Sequence, residues 1–154
     1  MVARARAGER AVTARVVRLG SARGKSEGLR LGTVRLPPRG VPRAEFAARN
    51  WYDVWLPALA PSLPTMKLAR GAATPAQWAT FVRKYRAEMA APLARQTLEL
   101  LAALSHRTNF SVGCYCENEA RCHRSILRQL LLEHGAQVVD DTNSGDDAMA
   151  SRGA

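Results

Sequence analysis

The sequence lacks a long apolar run and a spread of cysteines, and both absences exclude classes of protein. No run of 18 or more apolar residues is present, so we expect no transmembrane helix. The first residues contain arginines but no continuous apolar stretch, so they do not predict a secretory signal. All three cysteines fall within "GCYCENEARCHR", Gly113 to Arg124, which is not the disulfide framework of a small secreted protein. We therefore expect a cytoplasmic protein without membrane association.

Acidic residues are scarce in the first third of the chain. Residues 1–49 contain 12 Lys/Arg and 3 Asp/Glu, which gives +9 of the total +10. Most of these basic residues are arginine, whose planar guanidinium matches phosphate oxygens. This imbalance predicts attraction to nucleic acid or another phosphate-bearing ligand. An arginine-rich composition without a binding role is the alternative.

What is present indicates one domain between two tails. We predict a flexible basic arm at 1–10, a single α/β domain at 11–139 and a disordered acidic tail at 140–154. Alternating apolar residues predict strands near 11–19, 29–36 and 108–116, and "AQVVDD" predicts a last one. Because helical segments lie between these strands, we expect a small, mostly parallel sheet flanked by helices.

Three longer helices are expected, after a short one that "PRAEFAAR" predicts from Pro42. "TPAQ" at 74–77 is typical of a capping box and starts the first helix, with Trp78, Phe81, Tyr85 and others on one face. The second is predicted from about Pro92 to Ser105. The third is expected within 122–134, ended by Gly135. The stretch 50–66 contains three prolines and predicts an irregular crossing. The leucines predicted to face the core on the second helix are Leu93, Leu100, Leu101 and Leu104.

The cysteine-rich stretch connects a predicted strand to a helix N-terminus, where α/β proteins gather ligands. Cys114, Cys116, Cys122 and His123 are four possible zinc ligands within ten residues. Cys114 and Cys116 would point to one face of a strand. Adjacent Cys122 and His123 seldom reach the same ion. A zinc site with three cysteines and an open position therefore stands beside a four-ligand site.

Two further functions fit the same stretch, and simple packing is the alternative to all of them. As a catalytic pair, Cys122 at the helix start would be the nucleophile or redox centre and His123 its base. As an anion site, Arg121 and Arg124 would hold a phosphate with the helix N–H groups. In the packing interpretation, Cys114 is a core residue of a buried strand.

A set of landmarks along most of the chain, from about residue 15 to 135, resembles the uncharacterised bacterial YeaO-like family (domain of unknown function 488). The landmarks are "VRLPPRG" at Val34–Gly40, Trp55, Pro61–Ser62, Trp78, Phe81, Tyr85, Glu88 and "CHR" at Cys122–Arg124. The resemblance implies a compact cytoplasmic α/β domain and brings no established activity.

The resemblance also ranks the candidate residues. Part of the family keeps only a histidine where His123 stands, so it implies a shared site of His123, Arg35 and Arg39, with the cysteines special to one branch. This chain has Val34 and Pro37 where the family pattern has Asp and Trp, so a role that needs that acid does not carry over.

The combined hypothesis is an anion site for nucleic acid or a nucleotide. Arg35, Arg39, Arg121 and Arg124 would bind the ligand, next to Cys122 and His123. A zinc-binding module that binds nucleic acid without catalysis is the alternative. The sequence leaves both enzymatic activity and oligomeric state open.

Overall fold

The computed structural model describes residues 12–139, so the predicted arm and tail lie outside the described residues and stay predictions. Four strands form one all-parallel sheet in the order β1-β4-β2-β3. They are β1 (Ala14–Arg18), β2 (Leu29–Gly32), β3 (Val54–Trp55) and β4 (Phe110–Cys114). The predicted small α/β domain with a parallel sheet is confirmed.

The predicted buried strand, β4, lies inside the sheet. Its Val112 aligns with Val16 on β1 and with Leu31 on β2, and all five residues of β4 are buried. Because the strands are parallel, their carboxyl ends meet at one edge of the sheet. The segments that follow β1, β2 and β4 therefore start at the edge where β4 ends in Cys114.

Four α-helices accompany the sheet: α1 (Leu63–Gly71), α2 (Pro75–Met89), α3 (Pro92–Leu104) and α4 (His123–Glu133). Short 3-10 turns occur at Arg43–Glu45, Pro57–Leu59 and Glu119–Arg121. The first of these is all that forms of the short helix predicted from Pro42. The capping box is confirmed, since the Thr74 hydroxyl accepts from the Gln77 N–H and the Gln77 side chain accepts from the Thr74 N–H. None of the helices in residues 12–139 is long and apolar enough to cross a membrane.

The predicted inward face of α3 is wrong. Of the four leucines expected in the core only Leu101 is buried, while Leu93, Leu100 and Leu104 are 68%, 59% and 37% exposed. The buried face is instead formed by Ala94, Leu98, Leu101 and Ala102. These four residues recur at helical spacing, and the two alanines allow the helix backbone to approach its neighbours closely.

The irregular crossing expected at 50–66 is right only in part, because the two-residue β3 and a 3-10 turn interrupt it and α1 starts at Leu63. Pro64 lies in the first turn of α1, where the missing N–H has no partner to lose. Ser62 caps the helix, and the Glu88 carboxylate accepts from the Ser62 N–H at 3.1 Å and the Thr65 hydroxyl at 2.9 Å. The helix start is thereby tied to α2.

The predicted last strand is reduced to a single bridge. Val138 pairs in parallel with Ala14 next to β1, and no further ladder forms within residues 12–139.

Candidate functional site

A cavity of about 840 Å³ opens beside the carboxyl ends of β1, β2 and β4. Its wall includes all three cysteines and His123, together with Arg35, Arg39 and Arg121. The structure thus brings seven of the eight predicted site residues to one cavity. The eighth, Arg124, does not line it.

The three thiols form the sulfur cluster, defined as the Sγ atoms of Cys114, Cys116 and Cys122. These atoms all lie within 4.8 Å of one another, and the Cys114 and Cys116 sulfurs are 3.8 Å apart. Cys114 ends β4, and Cys122 is the residue before the first turn of α4. Cys116 is exposed and the other two are buried. The cluster therefore has one open member.

Negative charge in the cluster concentrates on Cys116. Hydrogen bonds from the Cys114 and Cys122 thiols hold the pKa of Cys116 far below its usual range. Donation to Cys116 and Cys122, together with burial, raises the pKa of Cys114. Contact with Cys114 lowers the pKa of Cys122, but donation to Cys116 and burial outweigh it and raise that pKa overall. The arrangement favours a single thiolate at the exposed position.

His123 is a buried, neutral histidine. Its Nε2 lies 2.8 Å from the Thr33 carbonyl oxygen, which can only accept, so Nε2 carries the hydrogen. Its Nδ1 is 3.7 Å from the Cys122 sulfur. Burial lowers the pKa of His123 to about 4, so the ring is uncharged at neutral pH. The orientation suits acceptance of the Cys122 proton, although the basicity is low.

Arg124 lies behind the cysteine loop rather than in the cavity wall. It is 3% exposed, and its Nη2 donates to the Cys116 carbonyl oxygen at 2.5 Å. No carboxylate within residues 12–139 pairs with it, and its Nε has no partner there. A buried guanidinium needs a negative charge nearby. A thiolate at Cys116 would supply one. Hydrogen bonds from the Cys114 and Cys122 thiols are the main cause of the lowered pKa of Cys116, and the charge of Arg124 adds to them.

The arginines in the wall fall into two groups. Arg35 is anchored, because its Nε donates to the Pro61 carbonyl at 3.1 Å and its Nη2 to the Ala60 carbonyl at 2.9 Å. Arg39 is exposed and has no hydrogen bond or ion pair to the described part of the chain. The Arg121 guanidinium lies 5.8 Å from the centre of the Trp78 ring, a cation–π distance. Arg39 and Arg121 are therefore available to a ligand.

Sequence reasoning missed two further arginines in the wall, Arg18 and Arg70. Arg18 ends β1, so its place at the carboxyl edge of the sheet could have predicted its position in the wall. Arg70 lies in the last turn of α1, a helix that the sequence did not predict. With these two, five arginines line the cavity, and none of the described lining residues is Asp or Glu.

The fold and cavity define a small parallel α/β domain with an arginine-lined site and a three-cysteine wall. The model of a family described as the active DUF488-N3 subclade matches residues 14–135. The chain therefore belongs to the DUF488 family, which confirms the resemblance found in the sequence. No curated protein and no solved structure matched the chain.

Proposed function

We propose that this domain binds a phosphate-bearing ligand in the arginine-lined cavity and that Cys116 is a reactive thiolate beside that ligand. The observation that carries the proposal is charge. Five arginines and no described carboxylate line one cavity, so positive charge outweighs the single proposed thiolate and an anion would be attracted there. Its place at the carboxyl edge of a parallel sheet is the usual position for ligands in such folds.

The thiol part rests on exposure and on Arg124. Cys116 is the exposed member of the sulfur cluster, whereas Cys122 is 2% exposed. The buried Arg124 has no described carboxylate partner, and a thiolate at Cys116 would balance its charge. Cys116 is thus a better nucleophile or redox centre than Cys122, with the Cys122 thiol and His123 as its buried support. The family description as an active subclade agrees with catalysis. A cytoplasmic setting would keep these thiols reduced.

The experiment compares ligand binding by cavity and surface variants. Arg39→Gln and Arg121→Gln remove available guanidinium groups, and Arg83→Gln removes an equal charge on an exposed residue outside the cavity wall. Calorimetry with nucleoside monophosphates should show each cavity variant weakened about ten-fold, near 1.4 kcal/mol, and the Arg83 variant unchanged. Equal loss in all three variants, or no binding of any phosphorylated compound at low salt, would refute the proposal.

Salt dependence separates nucleic acid from nucleotide. A strand that contacts many arginines releases many counterions, so its affinity falls steeply as salt rises. A single nucleotide gives a shallow slope.

A zinc site is the second candidate, because the three thiol sulfurs lie within 4.8 Å of one another. Three thiolates fit a tetrahedral zinc ion with one open position. His123 is not part of this group, and its Nε2 already donates to Thr33. In this function the domain would be a binding module for nucleic acid, without thiol chemistry.

Metal content and thiol titration on protein prepared without chelator decide between the two candidates. About one zinc per chain with all thiols protected would favour the metal site. Metal-free protein in which Cys116 is alkylated rapidly at neutral pH would favour the thiolate. Cys116→Ser should abolish the rapid phase of alkylation. Cys114→Ser is the control, because it removes a thiol that is buried rather than exposed.

A further inference from the structure

The cavity that we propose as a phosphate site also has an apolar wall. Trp51 and Tyr115 line it, accompanied by Leu19, Val34 and Met66. Inorganic phosphate has no group that would contact these side chains. A ligand that fills the cavity therefore needs an apolar, planar part as well as its anionic group.

The aromatic pair in this wall is held in place by the fold. The Trp51 and Tyr115 rings are 5.7 Å apart and edge-to-face at 73°. The Tyr115 hydroxyl donates to the Leu36 carbonyl at 3.0 Å. A side chain at Gly20 would place its Cβ 2.9 Å from the Trp51 ring, so glycine allows the indole to lie against the backbone. These contacts make the wall rigid before any ligand arrives.

Trp51 also carries an unused hydrogen-bond donor. Its Nε1 is buried and has no partner within residues 12–139. Buried indole N–H groups usually have an acceptor. Because this N–H has almost no accessible surface, a bound base would contact the exposed part of the indole ring rather than its N–H.

We infer that the ligand is a single nucleotide, with its base against Trp51 and Tyr115 and its phosphate at Arg39 and Arg121. This inference rests on the proposed phosphate site and specifies the substrate class. The volume of about 840 Å³ lies within the range of small-molecule sites. Stacking on an aromatic side chain contributes to binding of every base, so the wall selects a nucleotide over a sugar phosphate.

The test compares ligands on the unaltered protein by calorimetry. The four ribonucleoside 5′-monophosphates are measured beside ribose 5-phosphate and inorganic phosphate, which retain the anion and lack the base. At least one nucleotide should bind roughly ten-fold tighter than ribose 5-phosphate, within the range for one stacked base.

Variants then locate the effect. Trp51→Leu should remove the advantage of the nucleotide and leave the affinity for ribose 5-phosphate unchanged, which also shows that the variant is folded. Trp51→Phe keeps an aromatic face and should retain most of the advantage. If Trp51→Leu does not fold, the ligand series on the unaltered protein still decides.

Three results would overturn the inference. If ribose 5-phosphate binds as tightly as every nucleotide, the phosphate site stands and the base site fails. If no phosphorylated compound binds, the proposed function fails with it. A short single strand that binds far more tightly than every mononucleotide, with a steep salt dependence, would make the ligand a nucleic acid instead.

Discussion

The arginines at the centre of the fold and those in the cavity wall differ in what they contact. Arg30 is fully buried, and its guanidinium donates to both Glu27 oxygens and to the Ser21 and Asn50 carbonyls. Arg39 is exposed and contacts no described acceptor. Both come from the basic first third of the chain. Net charge alone therefore does not distinguish Arg30, which holds loops in place, from Arg39, which is available to a ligand.

Arg35 and Arg124 lie between these extremes. Arg35 lines the cavity while two of its nitrogens bind the backbone ahead of α1. Arg124 is buried and fixes the Cys116 carbonyl from behind. The first shapes the wall, and the second supports the thiol that faces it. Arg35 and Arg124 therefore hold in place the backbone around the cavity, and the exposed arginines of the wall remain available to a ligand.

The largest loss of stability is expected when Arg30, the buried structural arginine, is replaced. Arg30→Met leaves the Glu27 carboxylate buried at 3% exposure without its partner, so the free energy of unfolding should fall by about 3–5 kcal/mol. Arg39→Met, the control, should change it by less than about 0.5 kcal/mol. Urea unfolding of both variants measures the difference. A loss below about 1 kcal/mol in Arg30→Met would contradict a structural role for the buried pair.

Urea unfolding is also measured on a double variant that combines Glu27→Gln with Arg30→Met. The double variant removes the stranded carboxylate charge, so it should be more stable than Arg30→Met alone.

A smaller effect is expected at Arg124. Hydrogen bonds from the Cys114 and Cys122 thiols are the main cause of the lowered pKa of Cys116, and the charge of Arg124 adds to them. Arg124→Gln should therefore raise the midpoint of the alkylation rate against pH by up to about one unit, or 1.4 kcal/mol. Arg124→Lys keeps a charge there and should leave the midpoint close to its original value. Iodoacetamide kinetics, with the modified residue located by mass spectrometry, measure both. An unchanged midpoint in Arg124→Gln would mean that Cys116 does not depend on this charge.

The sequence correctly predicted those parts of the fold that depend on residues close together in the chain. The capping box at Thr74 gave the start of α2, and the run after Cys122 gave α4 with Gly135, at φ +88°, as its end. The close spacing of the cysteines also predicted their cluster, since β4 and the start of α4 are joined by only eight residues, 115–122.

Contacts between distant segments could not be read from the sequence. Whether α3 buries Ala94 or Leu93 depends on how closely its neighbours approach, and side-chain size alone suggested the wrong answer. Prolines near Ser62 suggested an irregular chain, although Glu88, 26 residues away, stabilises a helix start there. Likewise Arg30 meets the Asn50 carbonyl 20 residues away. The sequence therefore identified some of these arginines, missed Arg18, Arg30 and Arg70, and assigned partners to none of them.

The smallest effect is expected from a partly exposed arginine pair. Arg23 donates to both Asp53 oxygens at 2.7 and 3.0 Å, and this contact, with donation from the Arg30 N–H, lowers the pKa of Asp53. The folded-state pKa lies below the unfolded value near 3.9, so the stabilisation is present above about pH 4 and lost as pH falls through the folded-state pKa. Asp53→Asn should cost up to about 1 kcal/mol at pH 7, and the gap to the unaltered protein should narrow as the pH falls below about 4.

Urea unfolding at a series of pH values measures this gap. Glu99→Gln is the matched control, because its Arg95 partner lies 3.4 Å away on an open helix face with both side chains about half exposed. That pair should contribute almost nothing at any pH. A gap for Asp53→Asn that persists unchanged to pH 3 would assign its cost to the altered side chain rather than to the ion pair. The ion pair of Asp53 with Arg23 would then stabilise the fold no more than the exposed pair of Glu99 with Arg95.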